Sequence, residues 1–133
     1  MKKEHWATLP KQTTIDATIK AIESRGIKVF FVNDKKAALD KIKSLIPKGS
    51  EVMNGSSTTL IEIGFSEYLT SGTHGWKNMH ETILNEKDPS KQADLRRKAS
   101  ASEYFLGSVN AISQNGELVA CDASGSRVTA YPF

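Results

Sequence analysis

The chain carries a single cysteine, Cys121, in 133 residues, which excludes an intrachain disulfide and leaves it unable, on its own, to ligate an iron–sulfur cluster or a cysteine-based zinc ion. No apolar run approaches the roughly 18 residues that a membrane-spanning helix needs. The start "MKKEHWATLP" is basic but has no apolar stretch behind it, so the expectation is a cytoplasmic protein without a membrane partner. An excess of one charge is also missing: 18 Lys and Arg face 15 Asp and Glu, for a net charge of +3. The densest basic cluster, "LRRK" at 95–98, has no interleaved aromatics, so a nucleic-acid surface is not expected either. What is present, 25% charged and 38% hydrophobic residues, is an ordinary globular composition, and the length suits one domain over 1–133.

Residues 13–26, "TTIDATIKAIESRG", set Ile15, Ile19 and Ile22 at the i, i+4, i+7 spacing of one helical face and end on Gly26, a C-cap residue. "IKVFFV" at 27–32 follows as a continuous apolar, β-branched and aromatic run, the pattern of a strand covered on both faces. Asp34 then caps a helix over 35–46 whose inward stripe is Ala38, Leu39, Ile42, Leu45 and Ile46. Glu51 to Met53 reads as the end of a strand, Asn54 and Gly55 as a tight turn, and Ser56 as the N-cap of a helix carrying Leu60, Ile61, Ile63 and Gly64. Helix, strand, helix, strand, helix is the order of a parallel sheet with crossover helices. Residues 66–87 show weak periodicity and read as short helical turns and loop. Asp88 as N-cap and Pro89 at the first helical position open a helix through "SKQADLRRKASAS". "YFLGSVNAIS" and "ELVACDA" flank "QNG", an Asn-Gly turn signal that predicts a hairpin near the C-terminus and so a mixed sheet. "SRVTAYPF" reads as the start of another strand.

A helix that begins after Gly55 leaves its first amides free, with the positive end of its dipole outward. The backbone of 56–58 and the hydroxyls of Ser56, Ser57 and Thr58 are therefore a candidate site for a carboxylate or phosphate, the alternative being an ordinary capped helix. "DASGSR" at 122–127 is the second candidate: Asp122 ends a strand, Gly125 lies in a flexible turn, and the planar fork of Arg127 suits an anion. Its alternative is a turn with a surface Asp–Arg pair, and as a surface residue Arg127 is expected to tolerate Ala with little change in melting temperature. Asn110, inside a strand, either bonds a neighbouring loop or faces a ligand. His74, His80 and Glu81 lack the helical pairing of zinc motifs, so no metal or other cofactor is expected. Cys121 reads as a buried, inert thiol. Spacing assembles neither a Ser/His/Asp triad nor a close carboxylate pair, and leaves any catalytic residue unknown.

Taken together, "NGSSTTLIEIGF", the helix ahead of "ASEYFLGSVNAIS", and "NGELVACDASGSRV" resemble the LUD domain of the lactate-utilisation proteins, lactate-utilisation protein C in particular, across residues 13–130. The family pattern has a Gly-Ser-x-Thr-Leu loop, matched here by Gly55, Ser56 and Thr58 with Thr59 and Leu60 shifted by one. An Asn-Ala-Ile strand follows, here Asn110 to Ile112, and then Asp and Gly-Asn-Arg-Val, here Asp122 with Gly125, Ser126, Arg127 and Val128. Ser126 replaces the usual Asn, so the amide of that pattern is missing. The resemblance implies an α/β three-layer sandwich like that of the NagB, ribose-5-phosphate isomerase and CoA-transferase group, with a mostly parallel sheet. It also implies a small carboxylate or phosphate at strand-end loops, held by Gly55, Ser56, Ser57, Thr58, Asn110, Asp122, Gly125 and Arg127. In function it implies a cluster-free subunit beside iron–sulfur partner subunits in the oxidation of L-lactate to pyruvate. Family chains run on with another strand and helix, which implies truncation after Phe133, a compact variant being the alternative. Two other functions stay open, each compatible with a homo-oligomer. One is a stand-alone sugar-phosphate isomerase or CoA-transferase-like enzyme, which needs a carboxylate in its site, Glu103 and Asp122 being nearest by sequence. The other is a non-catalytic assembly module whose Gly55 loop is filled by its own side chains.

Overall fold

The computed structural model of the chain describes residues 8–123 and 125–132. In chain order its elements are α1 (Gln12–Glu23), α2 (Lys35–Leu45), β1 (Glu51–Asn54), α3 (Thr58–Glu62), α4 (Phe65–Thr70), β2 (Lys77–Asn78), α5 (Met79–Asn85), α6 (Pro89–Ala99), β3 (Tyr104–Leu106), β4 (Ala111–Ile112), β5 (Leu118–Val119) and α7 (Ser126–Ala130). They fall into two compact units, one made by the chain up to Phe31 with Val109–Val119, the other by Val32–Ser108 with the chain from Ala120 onward. No helix among the described residues is long and apolar enough to cross a membrane.

The first unit joins α1 to a hairpin. Helix α1 buries Ile22, with Ile15 and Ile19 half-buried on the same face, as the apolar spacing dictates. Strands β4 and β5 pair antiparallel, Ala111 opposite Val119 and Ile112 opposite Leu118. Their turn closes through Gly116 N–H to the Ser113 carbonyl at 3.0 Å and Ser113 N–H to the Glu117 carbonyl at 2.9 Å. Gly116 has φ +79°, and a Cβ there would stand 2.5 Å from the Ala21 carbonyl carbon of α1. Arg25 fastens the same tip, its Nε and Nη2 donating to the Asn115 carbonyl at 3.1 and 3.0 Å. The Asn-Gly signal thus marks a hairpin whose glycine is required twice, by its dihedral and by the helix against it.

The second unit holds a three-stranded parallel sheet in the order β2-β1-β3. Val52 sits opposite Asn78 on one side and Tyr104 on the other, and Met53 lies opposite Phe105. Helices α3 and α4 carry the chain from β1 to β2, and α5 and α6 carry it from β2 to β3, the crossover arrangement parallel strands need. The core gathers Val52, Phe65, Leu69, Leu60, Ile46 and Trp76 beneath the half-buried Leu39 and Ile42 of α2. The Trp76 indole N–H donates to the Ile46 carbonyl at 3.1 Å, and its ring stacks on Phe65 with centroids 6.2 Å apart. His74 is buried beside it and uses both ring nitrogens, Nδ1 accepting from Trp76 N–H and Nε2 lying 2.8 Å from the Leu69 carbonyl. Caps are where side-chain chemistry puts them: Asp34 Oδ1 accepts from Ala37 N–H at 2.7 Å, and Asp88 Oδ1 accepts from Ser90 and Lys91 N–H at 2.8 and 3.1 Å ahead of Pro89.

Four sequence expectations are corrected. "IKVFFV" at 27–32 joins no ladder among the described residues, and Phe31 is 55% exposed. An apolar run becomes a strand only where another strand pairs with it, which local sequence does not decide. The sheet is not mixed, because the antiparallel pair β4–β5 forms a sheet of its own. "SRVTAYPF" starts the helix α7 rather than a strand, since the Asp122 carboxylate binds the amides of its first turn. Leu45 turns outward at 44% exposure, while Ile46 just past the helix enters the core.

Candidate functional site

The carboxyl ends of three parallel strands converge in the second unit, where open α/β sheets place ligands. An open cavity of about 590 Å³ lies there. Met53 and Asn54 at the end of β1, followed by Gly55 and Ser56, make one part of its wall. Phe105 of β3 makes another, its ring in a T-shaped contact with Tyr131 at 6.1 Å between centroids. His80 comes from the first turn of α5, directly after β2. The last turn of α6 contributes Arg96 and Arg97, with Ser100 just past its end. Gly125, Ser126 and Thr129 complete the wall from α7 and its approach. Among the described lining residues are three basic side chains and no carboxylate.

Both arginines are exposed and lightly held. Arg97 pairs with Asp94 one turn back, and Arg96 Nη2 donates to Gln92 Oε1 at a long 3.4 Å. Solvent-exposed pairs of this kind contribute little and are readily exchanged for a ligand. Their guanidinium groups are therefore available to an incoming anion.

Of the residues the sequence singles out, the cavity brings together Gly55, Ser56 and Gly125. Ser57 rather than Ser56 caps α3, its buried hydroxyl accepting from Leu60 N–H at 3.1 Å, and Thr58 is the exposed first residue of that helix. Asn110 belongs to the hairpin unit, where it is exposed and donates its backbone N–H to the Val119 carbonyl at 2.8 Å. Cys121 is exposed, not buried, because its segment lies past the end of β5. Gly55 does not have a left-handed φ; a Cβ there would stand 3.1 Å from Arg127 Cγ, a tight approach, and 3.5 Å from Phe105 Cζ, an ordinary contact.

Asp122 and Arg127 form a strut rather than an open fork. Their side chains are 7% and 14% exposed, with Arg127 Nε 3.5 Å from Asp122 Oδ2. Arg127 Nη1 donates to the Ser108 carbonyl at 3.1 Å and Nη2 to the Cys121 carbonyl at 2.7 Å, tying α7 to the segment that leaves β3. Tyr131 Oη donates to the same Ser108 oxygen at 3.1 Å, and a Cβ on Gly107 would collide with that hydroxyl. The surface-pair reading of Arg127 is corrected by this burial.

Burial opposes the Asp122 charge, but N–H donors from Arg127, Gly125 and Val128 and the Arg127 charge outweigh it and hold the carboxyl below its ordinary pKa. A carboxyl whose pKa is lowered on folding adds stability that is complete above its unfolded value, about 3.9, and lost as pH falls through the folded one. Asp122→Asn is therefore expected to lower urea stability at pH 7 and to flatten its decline below about pH 4. A variant whose unfolding curves overlay the wild type at both pH 7 and pH 3 would contradict the strut.

Arg96, Arg97 and His80 were not legible as a set, because they line one cavity only once α5 and α6 pack against each other. The one available signal was "LRRK" in the last turn of a well-capped helix. Residues 15–133 match the family model of the LUD domain. No curated protein and no solved structure matches the chain.

Proposed function

The chain belongs to the LUD-domain family, which is associated with lactate-utilisation proteins, and from that premise we propose that it is an anion-binding protein of organic-acid utilisation. The observation that carries the reading is the cavity wall at the carboxyl ends of β1, β2 and β3: Arg96, Arg97 and His80 with no carboxylate among the described lining residues. An Arg fork meets a carboxylate or phosphate edge through two parallel hydrogen bonds, and the hydroxyls of Ser56, Ser100 and Thr129 add further donors. With one cysteine the chain has no cluster of its own, so electrons from an organic acid would pass to iron–sulfur partner subunits. The three-layer arrangement of the NagB-type group belongs to the same proposal, supported by the parallel β1–β3 sheet and its crossover helices.

A stand-alone isomerase or transferase finds less support. Glu103 Oε2 accepts from Glu51 N–H at 2.9 Å, at the amino end of β1 and away from the cavity, and Asp122 is committed to three backbone amides. Neither carboxylate lines the cavity, so neither is placed as a base or nucleophile.

Thermal unfolding with lactate, pyruvate and inorganic phosphate tests the reading. A ligand that binds only the folded chain adds about 2.7 kcal/mol of apparent stability at a hundred times its Kd. At least one of the three is expected to raise the melting temperature of the wild type, and the rise should vanish in the Arg96→Ala/Arg97→Ala double variant. An equal rise in both proteins would remove the cavity from the account.

A further inference from the structure

We infer that Asn115, at the hairpin tip, is a site of spontaneous deamidation that Arg25 holds in check, and whose isoaspartyl product releases the hairpin from α1. The inference is independent of the anion-binding reading. In Asn115-Gly116 the backbone nitrogen of Gly116 has no side chain beside it to shield it from the Asn115 amide, and Asn side chains readily reach the backbone that follows them. After losing its proton to water or hydroxide, that nitrogen attacks Asn115 Cγ. A C–N bond forms and the side-chain nitrogen leaves as ammonia, closing a succinimide ring. Water then opens the ring: cleavage at Cγ gives Asp, and cleavage at the backbone carbonyl carbon gives an isoaspartyl link, with the chain running through Cβ and Cγ. Water enters, ammonia leaves, and nothing is oxidised or reduced.

The fold sets how often this happens. Asn115 is exposed, so water and base reach it. The nitrogen that must attack is engaged, because Gly116 N–H donates to the Ser113 carbonyl at 3.0 Å. The oxygen of the same peptide group, the Asn115 carbonyl, accepts from Arg25 Nε and Nη2 at 3.1 and 3.0 Å. A planar peptide pinned at its hydrogen and at its oxygen cannot turn its nitrogen onto Cγ, so ring closure waits for local opening of the tip. The isoaspartyl link adds a backbone carbon where Gly116 leaves no room even for a Cβ, which would stand 2.5 Å from the Ala21 carbonyl carbon, so the modified tip loses its seat on α1. Asn54-Gly55 is a second such pair, but it is built into the parallel sheet: Asn54 ends β1, and Gly55 N–H donates to the Leu106 carbonyl of β3 at 2.9 Å.

Peptide mapping by mass spectrometry, following the acid formed at each Asn during incubation in mildly alkaline buffer, tests this. In urea Asn54 and Asn115 are expected to convert at similar rates. In the native chain Asn115 should convert about a hundredfold more slowly than in urea, and in Arg25→Ala about tenfold faster than in the native wild type, with Asn54 unchanged. Asn54 thus reports whether a variant has opened more than the tip. Arg25→Lys keeps the charge without the planar fork and should fall between, and it carries the test if the Ala variant unfolds. Asn115 converting as fast in the native chain as in urea, equal rates in the wild type and the folded Arg25 variants, or no conversion at Asn115 in urea would overturn the inference. Converted wild type should also lose amide-exchange protection in α1 and β4–β5 while the β1–β3 sheet keeps its own. Unchanged protection in the isoaspartyl form would overturn the release.

Discussion

Gly116→Ala is expected to destabilise the hairpin unit by about 3 kcal/mol, combining the ~1–2 kcal/mol cost of a left-handed residue with the ~1–3 kcal/mol cost of overpacking. The dihedral cost arises because Gly116 has φ +79°, and the packing cost because its Cβ would meet Ala21 and Ile22 backbone atoms at 2.5 to 2.6 Å. Backbone of a formed helix cannot step aside as a side-chain tip can. Gly26→Ala is the matched control: its φ is +81°, but nothing lies within 4 Å of the added carbon, so only the dihedral cost of about 1–2 kcal/mol applies. Urea unfolding gives the two losses, and hydrogen exchange on α1 and β4–β5 shows whether the excess is local. Equal losses would mean that the hairpin tip does not need its contact with α1.

Arg127→Ala is expected to lower stability by about 2–4 kcal/mol, because hydrogen bonds from a charged donor are worth ~1.5–3 kcal/mol each and do not add in full. The two carbonyls that lose a partner are those of Ser108 and Cys121, and the Arg side chain is only 14% exposed. Lys at this position has no planar fork to span both oxygens, so Arg127→Lys should recover only part of the loss. A melting temperature within a degree of the wild type for Arg127→Ala would show that the strut is dispensable, as the sequence alone had suggested.

What the sequence made legible was local. Asp34, and Asp88 with Pro89, begin helices through hydrogen bonds within three residues, and Asn115-Gly116 closes a turn between adjacent strands. Each is decided by a few neighbours in sequence. "IKVFFV" was misread because a strand is made by its partner, and the run joins no ladder among the described residues. The C-terminal segment was misread because Val128 and Tyr131 look strand-like, while the carboxylate of Asp122 organises a helix there instead. Gly55 was noticed for the right position and the wrong reason: its φ is not left-handed, and what lies tight against it is the Arg127 side chain. The cavity's basic side chains were invisible as a site because Arg96 and His80 come to one cavity only once α5 and α6 pack against each other.

The cavity's role is tested most directly by following backbone amide NMR signals as inorganic phosphate is titrated into the wild-type chain. The account predicts saturable shifts concentrated at Asn54 to Ser56, His80, Arg96 to Ser100 and Gly125 to Thr129, with the β4–β5 hairpin unchanged. Shifts centred on Asn110 and the hairpin, or no saturable shift at any concentration, would contradict it.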